Sequence, residues 1–265
     1  MDSLLANLII FGILAALANI LGGVILFSVS SHARYRTLLK YLLALGAGFM
    51  LAVTFFEILP KSIELWQRDK GVAEGLAVPM ALMLGGYLLT QFFEHTIAPH
   101  IHLGEEVTTT DTLKRSSAYA AVGGLVIHTF FDGVSIAAAR AIDWQVGLLV
   151  FLAVFLHKFP EGFTIGSMIL AAGRARREVL IATSLIGLVT IIGILGFYLI
   201  GSRIGFTVAY ALPIAGGVTL YVAASDLIPE VNHHGGKSPF VSLSVFAGVA
   251  LFFGTQALLH QIMEP

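Results

Sequence analysis

Eight long apolar segments, separated by short polar breaks, restrict what this chain can fold into. Each is long enough to cross a bilayer, which takes about 20 mainly apolar residues in a helix. Because a bilayer core has no water to hydrogen-bond exposed backbone groups, such segments must be helical. Their approximate limits are 4–28, 38–60, 76–98, 117–139, 145–171, 178–200, 206–229 and 240–261. The sequence therefore predicts an all-α membrane protein, with one transmembrane domain over residues 1–265.

Composition supports this class and excludes others. Hydrophobic residues make up 57% of the chain and charged residues 12%, whereas soluble domains average about 25% charged residues. The formal net charge of -1 gives no basis for a nucleic-acid partner. There is no cysteine, so any metal ligands must come from His, Asp, Glu, amides, hydroxyls or water. The composition therefore indicates the lipid bilayer as the expected partner.

The distribution of basic residues predicts how the chain crosses the membrane. The loops after spans 1, 3, 5 and 7 hold nine Lys and Arg residues, and those after spans 2, 4 and 6 hold five. Since cytoplasmic loops carry the excess of positive charge, both termini are predicted to lie outside. We expect a multi-pass protein of the cell membrane.

Two short patterns occur twice. HTFFDG (128–133) and HKFPEG (157–162) share His, Phe, a carboxylate and Gly, in the fourth and fifth spans. GFMLAVTFFEILPK (48–61) and GVTLYVAASDLIPE (217–230) share matched positions in the second and seventh spans. Each pair of spans would run in opposite directions across the membrane. Opposed copies of one pattern are typical of inverted-repeat transporters, whose substrate site lies near the bilayer midplane.

The first pattern predicts a metal site. A histidine and a carboxylate four residues apart lie on one face of a helix, and two such faces that meet supply four ligands. Two imidazoles and two carboxylates suit Zn²⁺, with Cd²⁺, Fe²⁺, Mn²⁺ and Co²⁺ as alternatives, whereas Mg²⁺ and Ca²⁺ prefer oxygen ligands. Charged groups in a bilayer persist mainly where they pair or serve a function. The predicted ligands are His128, Asp132, His157 and Glu161.

These motifs resemble those on the fourth and fifth helices of the ZIP (Zrt/Irt-like) family of divalent metal transporters. The resemblance extends to GAGFMLAV and LP in the second span and DLIPE in the seventh. It implies a 3+2+3 arrangement of helices, metal import into the cytoplasm, frequent homodimers and a central site formed by helices 4 and 5. Carried over to this sequence, the resemblance implies that the site consists of His128, Asp132, His157 and Glu161.

Three positions depart from the family pattern. Many members hold a second ion with the residues after each motif histidine and with a Glu on the sixth helix. Here those positions are Thr129, Lys158 and Thr190. Our hypothesis is that Lys158 takes the place of the second ion and pairs with Glu161, since an ammonium group has no lone pair for a metal. In the alternative, Lys158 faces away and reaches Asp226 or a backbone carbonyl.

Other polar residues are predicted to serve the ion's path. Carboxylates at pore mouths concentrate cations, and this role is expected of Glu57 and Asp226. Glu230 either shares this role or is an ordinary charge at the membrane interface. Glu57 and Asp226 precede Pro60 and Pro229, which are expected to end their helices. Histidine-rich loops either receive released metal or are merely solvated linkers. The loop histidines are His95, His100, His102, His233 and His234.

The leading interpretation is a transporter that takes up Zn²⁺ or a similar ion by alternating access. No phosphate-binding motif is present that would couple this chain to ATP. The alternative is an intramembrane zinc-dependent hydrolase, which needs an open coordination position and a general base, often as HExxH. That motif is absent, and both motif carboxylates serve best as ligands. We therefore expect no enzyme activity, no catalytic cofactor and a transported ion as substrate.

Overall fold

In a computed structural model of the chain, the described residues form helices joined by short turns. They are residues 3–27, 32–70, 72–97, 115–201, 208–235 and 238–263, and no strand occurs within these ranges. Eight helical stretches among them are long and apolar enough to cross a membrane. The predicted fold class, an all-helical protein with eight candidate spans, is confirmed.

Ten α-helices in these ranges build the eight spans. Their bounds are α1 Ser3–Val24, α2 His32–Val53, α3 Leu59–Lys70, α4 Val72–Ile97, α5 Arg115–Ile142, α6 Trp144–Ala171, α7 Arg176–Gly201, α8 Val208–Tyr221, α9 Ile228–Gly235 and α10 Pro239–Met263. The second span consists of α2 and α3, and the seventh of α8 and α9. The first span is α1 followed by a 3-10 turn, Ile25–Phe27, and each other span is a single α-helix.

The second and seventh spans share a local change of helix geometry. A π-helical segment, Thr54–Ile58, joins α2 to α3, and another, Val222–Leu227, joins α8 to α9. The prediction that Pro60 and Pro229 end their helices is wrong, because both spans continue beyond them. Each proline lies in the first turn after its π segment, where a missing N–H is best tolerated.

Helices α5 and α6 lie at the centre of the bundle. α5 packs along α6, α7 and α8, and α6 packs along α1, α2 and α5. Asp143 alone separates the two helices, and its Oδ1 accepts a hydrogen bond of 2.5 Å from the backbone N of Gln145 at the start of α6. The tight turn keeps the two helices antiparallel and adjacent. Their facing surfaces are therefore the most protected position for polar side chains.

The remaining helices surround this pair. α1 and α7 pack on each other as well as on α6 and α5, while α2 pairs with α10 and α4 pairs with α8. Only 22% of the apolar stretch of α4 and 17% of that of α10 are buried inside the protein, against 72% for α6. Since lipid is as apolar as leucine, these two helices can present apolar side chains outward at no cost.

Candidate metal centre

Four polar side chains of α5 and α6 meet inside the bundle. His128, Asp132, His157 and Glu161 are 3%, 1%, 2% and 9% exposed. We call these four residues the central site. Each helix contributes a histidine and a carboxylate one turn apart, which is the arrangement expected from the i, i+4 spacing.

Close helix contacts hold the central site in place. A Cβ on Gly133 would collide with the backbone oxygen of Thr190 on α7, and one on Gly162 with the backbone oxygen of Asn19 on α1. The glycine that follows each motif carboxylate thus lets a neighbouring helix backbone approach. The carboxylates are positioned from both sides by α1 and α7.

Replacing Gly162 by alanine is expected to lower the melting temperature of the purified protein in detergent. The added methyl must displace the Asn19 backbone, and overpacking of this kind costs about 1–3 kcal/mol. Gly85→Ala is the matched control on α4, since a Cβ there has no heavy atom within 4 Å. Equal melting temperatures for the two variants would show that the close contact does not constrain the fold.

Glu161 connects most members of the cluster. Its Oε2 lies 2.6 Å from Lys158 Nζ, 3.5 Å from His128 Nε2 and 3.8 Å from His157 Nε2. Its Oε1 accepts hydrogen bonds from Asn19 Nδ2 at 2.9 Å and from Thr129 Oγ1 at 3.2 Å. One oxygen therefore faces the histidines and the other faces neutral donors.

Asp132 is held on one oxygen only. Its Oδ2 lies 3.2 Å from His157 Nε2 and accepts a hydrogen bond of 2.8 Å from Lys158 Nζ. Among the described residues, its Oδ1 is buried without a hydrogen-bond partner. An unpaired buried carboxylate oxygen is costly, so the site has unused capacity to bind a cation.

The histidines are oriented through their second ring nitrogens. His157 Nδ1 donates to the backbone oxygen of Ala153 at 3.0 Å, which leaves Nε2 facing Asp132 Oδ2. His128 Nδ1 lies 3.3 Å from Glu94 Oε1, so its Nε2 faces Glu161. Metal-binding histidines are commonly oriented by such partners. A ring nitrogen and a carboxylate oxygen that face each other can both bind a cation placed between them.

The atomic separations suit a single ion. His128, Asp132 and Glu161 each offer a ligand atom, and these atoms lie within 4.8 Å of one another. Two ligands on a tetrahedral zinc ion, with bonds of about 2.0–2.2 Å, lie about 3.3–3.6 Å apart. The distance from His128 Nε2 to Glu161 Oε2, 3.5 Å, lies within this range. The distance from His157 Nε2 to Asp132 Oδ2, 3.2 Å, is slightly shorter.

Lys158 is fully buried, with 0% exposure, and its ammonium group points into the cluster. It donates to Glu161, Asp132 and Thr129, the last at 3.1 Å. The pairing with Glu161 expected from the sequence is present, and its partners here are side chains of the cluster rather than Asp226. Thr190 is also fully buried, and its hydroxyl has no hydrogen-bond partner in the described part of the chain.

Glu94 is a residue that the sequence interpretation missed. It lies near the end of α4, is 4% exposed and reaches His128 from a third helix. In the sequence it stands beside the histidine-rich loop, and it is not among the predicted ligands. The signal that could have identified it is a carboxylate still within the apolar segment 76–98.

The residues predicted for the ion's path lie outside the central site. Glu57 is 7% exposed, and its Oε2 accepts a hydrogen bond of 3.3 Å from Gln256 Nε2 on α10. Asp226 and Glu230 are partly buried in the seventh span. Their role in transport stays a prediction.

The predicted loop histidines are only partly covered by the structure. His95 is exposed at the end of α4, and the backbone of His233 and His234 belongs to α9. His100 and His102 lie outside the described residues. Metal binding by these histidines stays a prediction.

Comparison with known proteins points to one family. A family model described as ZIP Zinc transporter matches residues 4–123 and 100–260, which together cover nearly the whole chain. Human zinc transporter ZIP4 is 31% identical over 136 residues, covering 51% of this chain and 21% of that protein. Human zinc transporter ZIP10 is 26% identical over 173 residues, covering 63% and 21%. The chain thus spans about a fifth of the length of these two relatives.

A third relative matches over most of its own length. Zinc transporter ZIP9 of Micropogonias undulatus is 28% identical over 241 residues, covering 74% of this chain and 77% of that protein. These relatives are transporters and not enzymes, so the hydrolase alternative has no support from them.

Proposed function

The chain belongs to the ZIP zinc transporter family, and we propose that it moves a divalent metal ion, most favourably Zn²⁺, into the cytoplasm. The observation that carries this proposal is the central site, a buried pair of histidines and carboxylates in the middle of an apolar bundle. Charged groups in such a place are functional-site candidates, because their insertion into a bilayer is costly. His128, Asp132, His157 and Glu161 would bind the ion.

The ligand set favours zinc among the candidates. Two imidazoles and two carboxylates match the nitrogen and oxygen ligands of borderline metals, and four ligands match the tetrahedral preference of Zn²⁺. Cd²⁺, Fe²⁺, Mn²⁺ and Co²⁺ bind the same atom types and are the expected competitors.

Lys158 would replace a second ion beside the central site. This is supported by its ammonium group, which bridges Asp132 Oδ2 and Glu161 Oε2 at 2.8 and 2.6 Å, as a bridging cation would. Thr129 and Thr190 supply hydroxyls in place of stronger ligands. Lys158, Asp132 and Glu161 together carry one net negative charge before the divalent ion binds. The empty transporter would thereby avoid two uncompensated charges in a low-dielectric bundle.

Alternating access would come from an inverted repeat within this single transmembrane domain. Supporting observations are the π segments, which lie inside the two copies of the repeated pattern in the second and seventh spans. Gly48 and Gly217, the first residues of those copies, each approach a backbone oxygen, of Val245 and Met83. The helix pairs that pack together also correspond between the two halves. The contact of α1 with α6 corresponds to that of α7 with α5, and the contact of α2 with α10 corresponds to that of α8 with α4.

The ion's route is proposed from the carboxylates at the two ends of the bundle. With both termini outside, Glu57 would lie toward the outer side, and Asp226 and Glu230 toward the inner side. Glu94 extends the inner part of this route, since it contacts His128 and lies near the cytoplasmic end of α4. A homodimer in the cell membrane remains an expectation from the family resemblance.

Uptake of radioactive zinc into proteoliposomes tests the function directly. Vesicles that contain the full chain are expected to accumulate Zn²⁺ faster than protein-free vesicles, and unlabelled Cd²⁺ should compete. No ATP is needed in the assay, because the chain has no phosphate-binding motif. Entry of Zn²⁺, Cd²⁺, Mn²⁺ and Fe²⁺ at the protein-free rate would refute the proposal.

A further inference from the structure

Asn19 lies on α1, outside the two helices that carry the central site, and is 0% exposed. Its Nδ2 donates a hydrogen bond of 2.9 Å to Glu161 Oε1. The backbone of α1 lies against α6 at this point, since the Asn19 carbonyl packs directly on Gly162. Asn19 is thus a fixed neutral donor beside one predicted ligand.

The lone pairs of Glu161 can be counted from these contacts. Each carboxylate oxygen has two acceptor positions. On Oε1 both are taken, by Asn19 Nδ2 and by Thr129 Oγ1. On Oε2 one is taken by Lys158, which leaves one directed to the histidines. Glu161 can therefore offer an ion a single oxygen.

We infer that Asn19 is a positioning residue that determines metal specificity by holding Glu161 in a one-oxygen binding mode. This inference rests on the proposed function, in which Glu161 is a ligand. With one oxygen from Glu161, the central site stays close to the four ligands that suit Zn²⁺. Releasing Oε1 would allow Glu161 to bind through both oxygens. A larger oxygen-rich shell favours ions such as Mn²⁺.

The test substitution is Asn19→Leu, which keeps a similar volume and removes the donor. The full chain, purified in detergent, is loaded with Co²⁺, whose visible absorption weakens as its coordination number rises above four. We expect weaker bands than in the unchanged protein. In equilibrium dialysis, the affinity for Mn²⁺ relative to Zn²⁺ is expected to rise about tenfold, because a hydrogen bond to a charged ligand is lost.

Two further variants keep the inference falsifiable. Thr129→Val removes the other donor to Oε1 and should change the Co²⁺ spectrum and the metal preference in the same direction. Thr183→Val is the matched control, since Thr183 is a buried hydroxyl on α7 whose hydrogen bonds within the described residues go to its own helix backbone. It should leave both measurements unchanged.

The outcomes separate the inference from the proposed function. If Glu161→Gln abolishes Co²⁺ binding while Asn19→Leu and Thr129→Val keep the original spectrum and metal preference, the role of Asn19 is refuted and the central site stands. The role of Asn19 is also refuted if Thr183→Val changes the Co²⁺ spectrum and the metal preference as much as Asn19→Leu does, because both changes would then reflect packing alone. If Glu161→Gln binds Co²⁺ normally, the proposed function itself fails.

Discussion

Zinc flux is expected to fall at least about a hundredfold when Glu161 is replaced by glutamine. Even the outer partners of metal ligands cost about 10–100-fold in affinity when mutated, and Glu161 is proposed as a ligand itself. Glutamine has nearly the same shape but loses the negative charge. Its amide would also direct donors at Lys158 or His128, which lie 2.6 and 3.5 Å from Oε2. The measurement is the initial rate of zinc uptake into proteoliposomes.

The matched control for this prediction is Glu64→Gln. Glu64 lies in the second span, but its side chain is 53% exposed and, among the residues that the structure describes, pairs with Lys61 and Arg68. Exposed pairs contribute little, so this variant should keep the original flux and melting temperature. Near-normal flux through Glu161→Gln would mean that the ion is bound elsewhere.

Removing the buried ammonium is expected to destabilise the metal-free protein and strengthen zinc binding. In Lys158→Met the long side chain is kept, but Asp132 and Glu161 are left as two buried carboxylates without their shared cation. Breaking a buried charge pair from one side costs about 3–5 kcal/mol. Zinc then supplies the missing positive charge, so its stabilising effect should exceed that in the unchanged protein. Melting curves with and without Zn²⁺ measure both effects.

The same variant tests whether Lys158 replaces an ion. Metal analysis after dialysis should give one Zn²⁺ per unchanged chain and up to two per Lys158→Met chain. Lys61→Met is the control, because Lys61 is 37% exposed and far less costly to remove. Equal stability and one equally bound ion in both lysine variants would contradict the proposed role. Two ions in the unchanged protein would contradict it as well.

Much of the fold could be predicted because the bilayer imposes simple rules. Apolar length identified the spans, and the i, i+4 spacing placed His128 with Asp132 and His157 with Glu161. The prediction that Pro60 and Pro229 end their helices is wrong because it follows the usual effect of proline, which interrupts a helix. Here π segments before both prolines allow the second and seventh spans to continue. Local sequence does not show that such a segment will form.

The contacts of Asn19 and Glu94 with the central site could not be identified from the sequence, although Glu94 stands out as a carboxylate within an apolar segment. A lone asparagine or glutamate in an apolar segment has no spacing pattern that links it to a motif far away in the chain. Asn19 reaches Glu161 only because α1 packs along α6, and Glu94 reaches His128 from the end of α4. Which helices are neighbours depends on packing among many side chains.

The amino-acid sequence by itself determined the class of the protein and the residues of the central site, since burial in lipid and helical periodicity depend on local order alone. Tertiary structure decided how those residues are used. It brought the two motif faces together, turned Lys158 between the carboxylates and placed Asn19 on one oxygen of Glu161. The contacts of Lys158 with Asp132 and of Asn19 with Glu161 join residues from different helices, so their geometry exists only once the helices have packed.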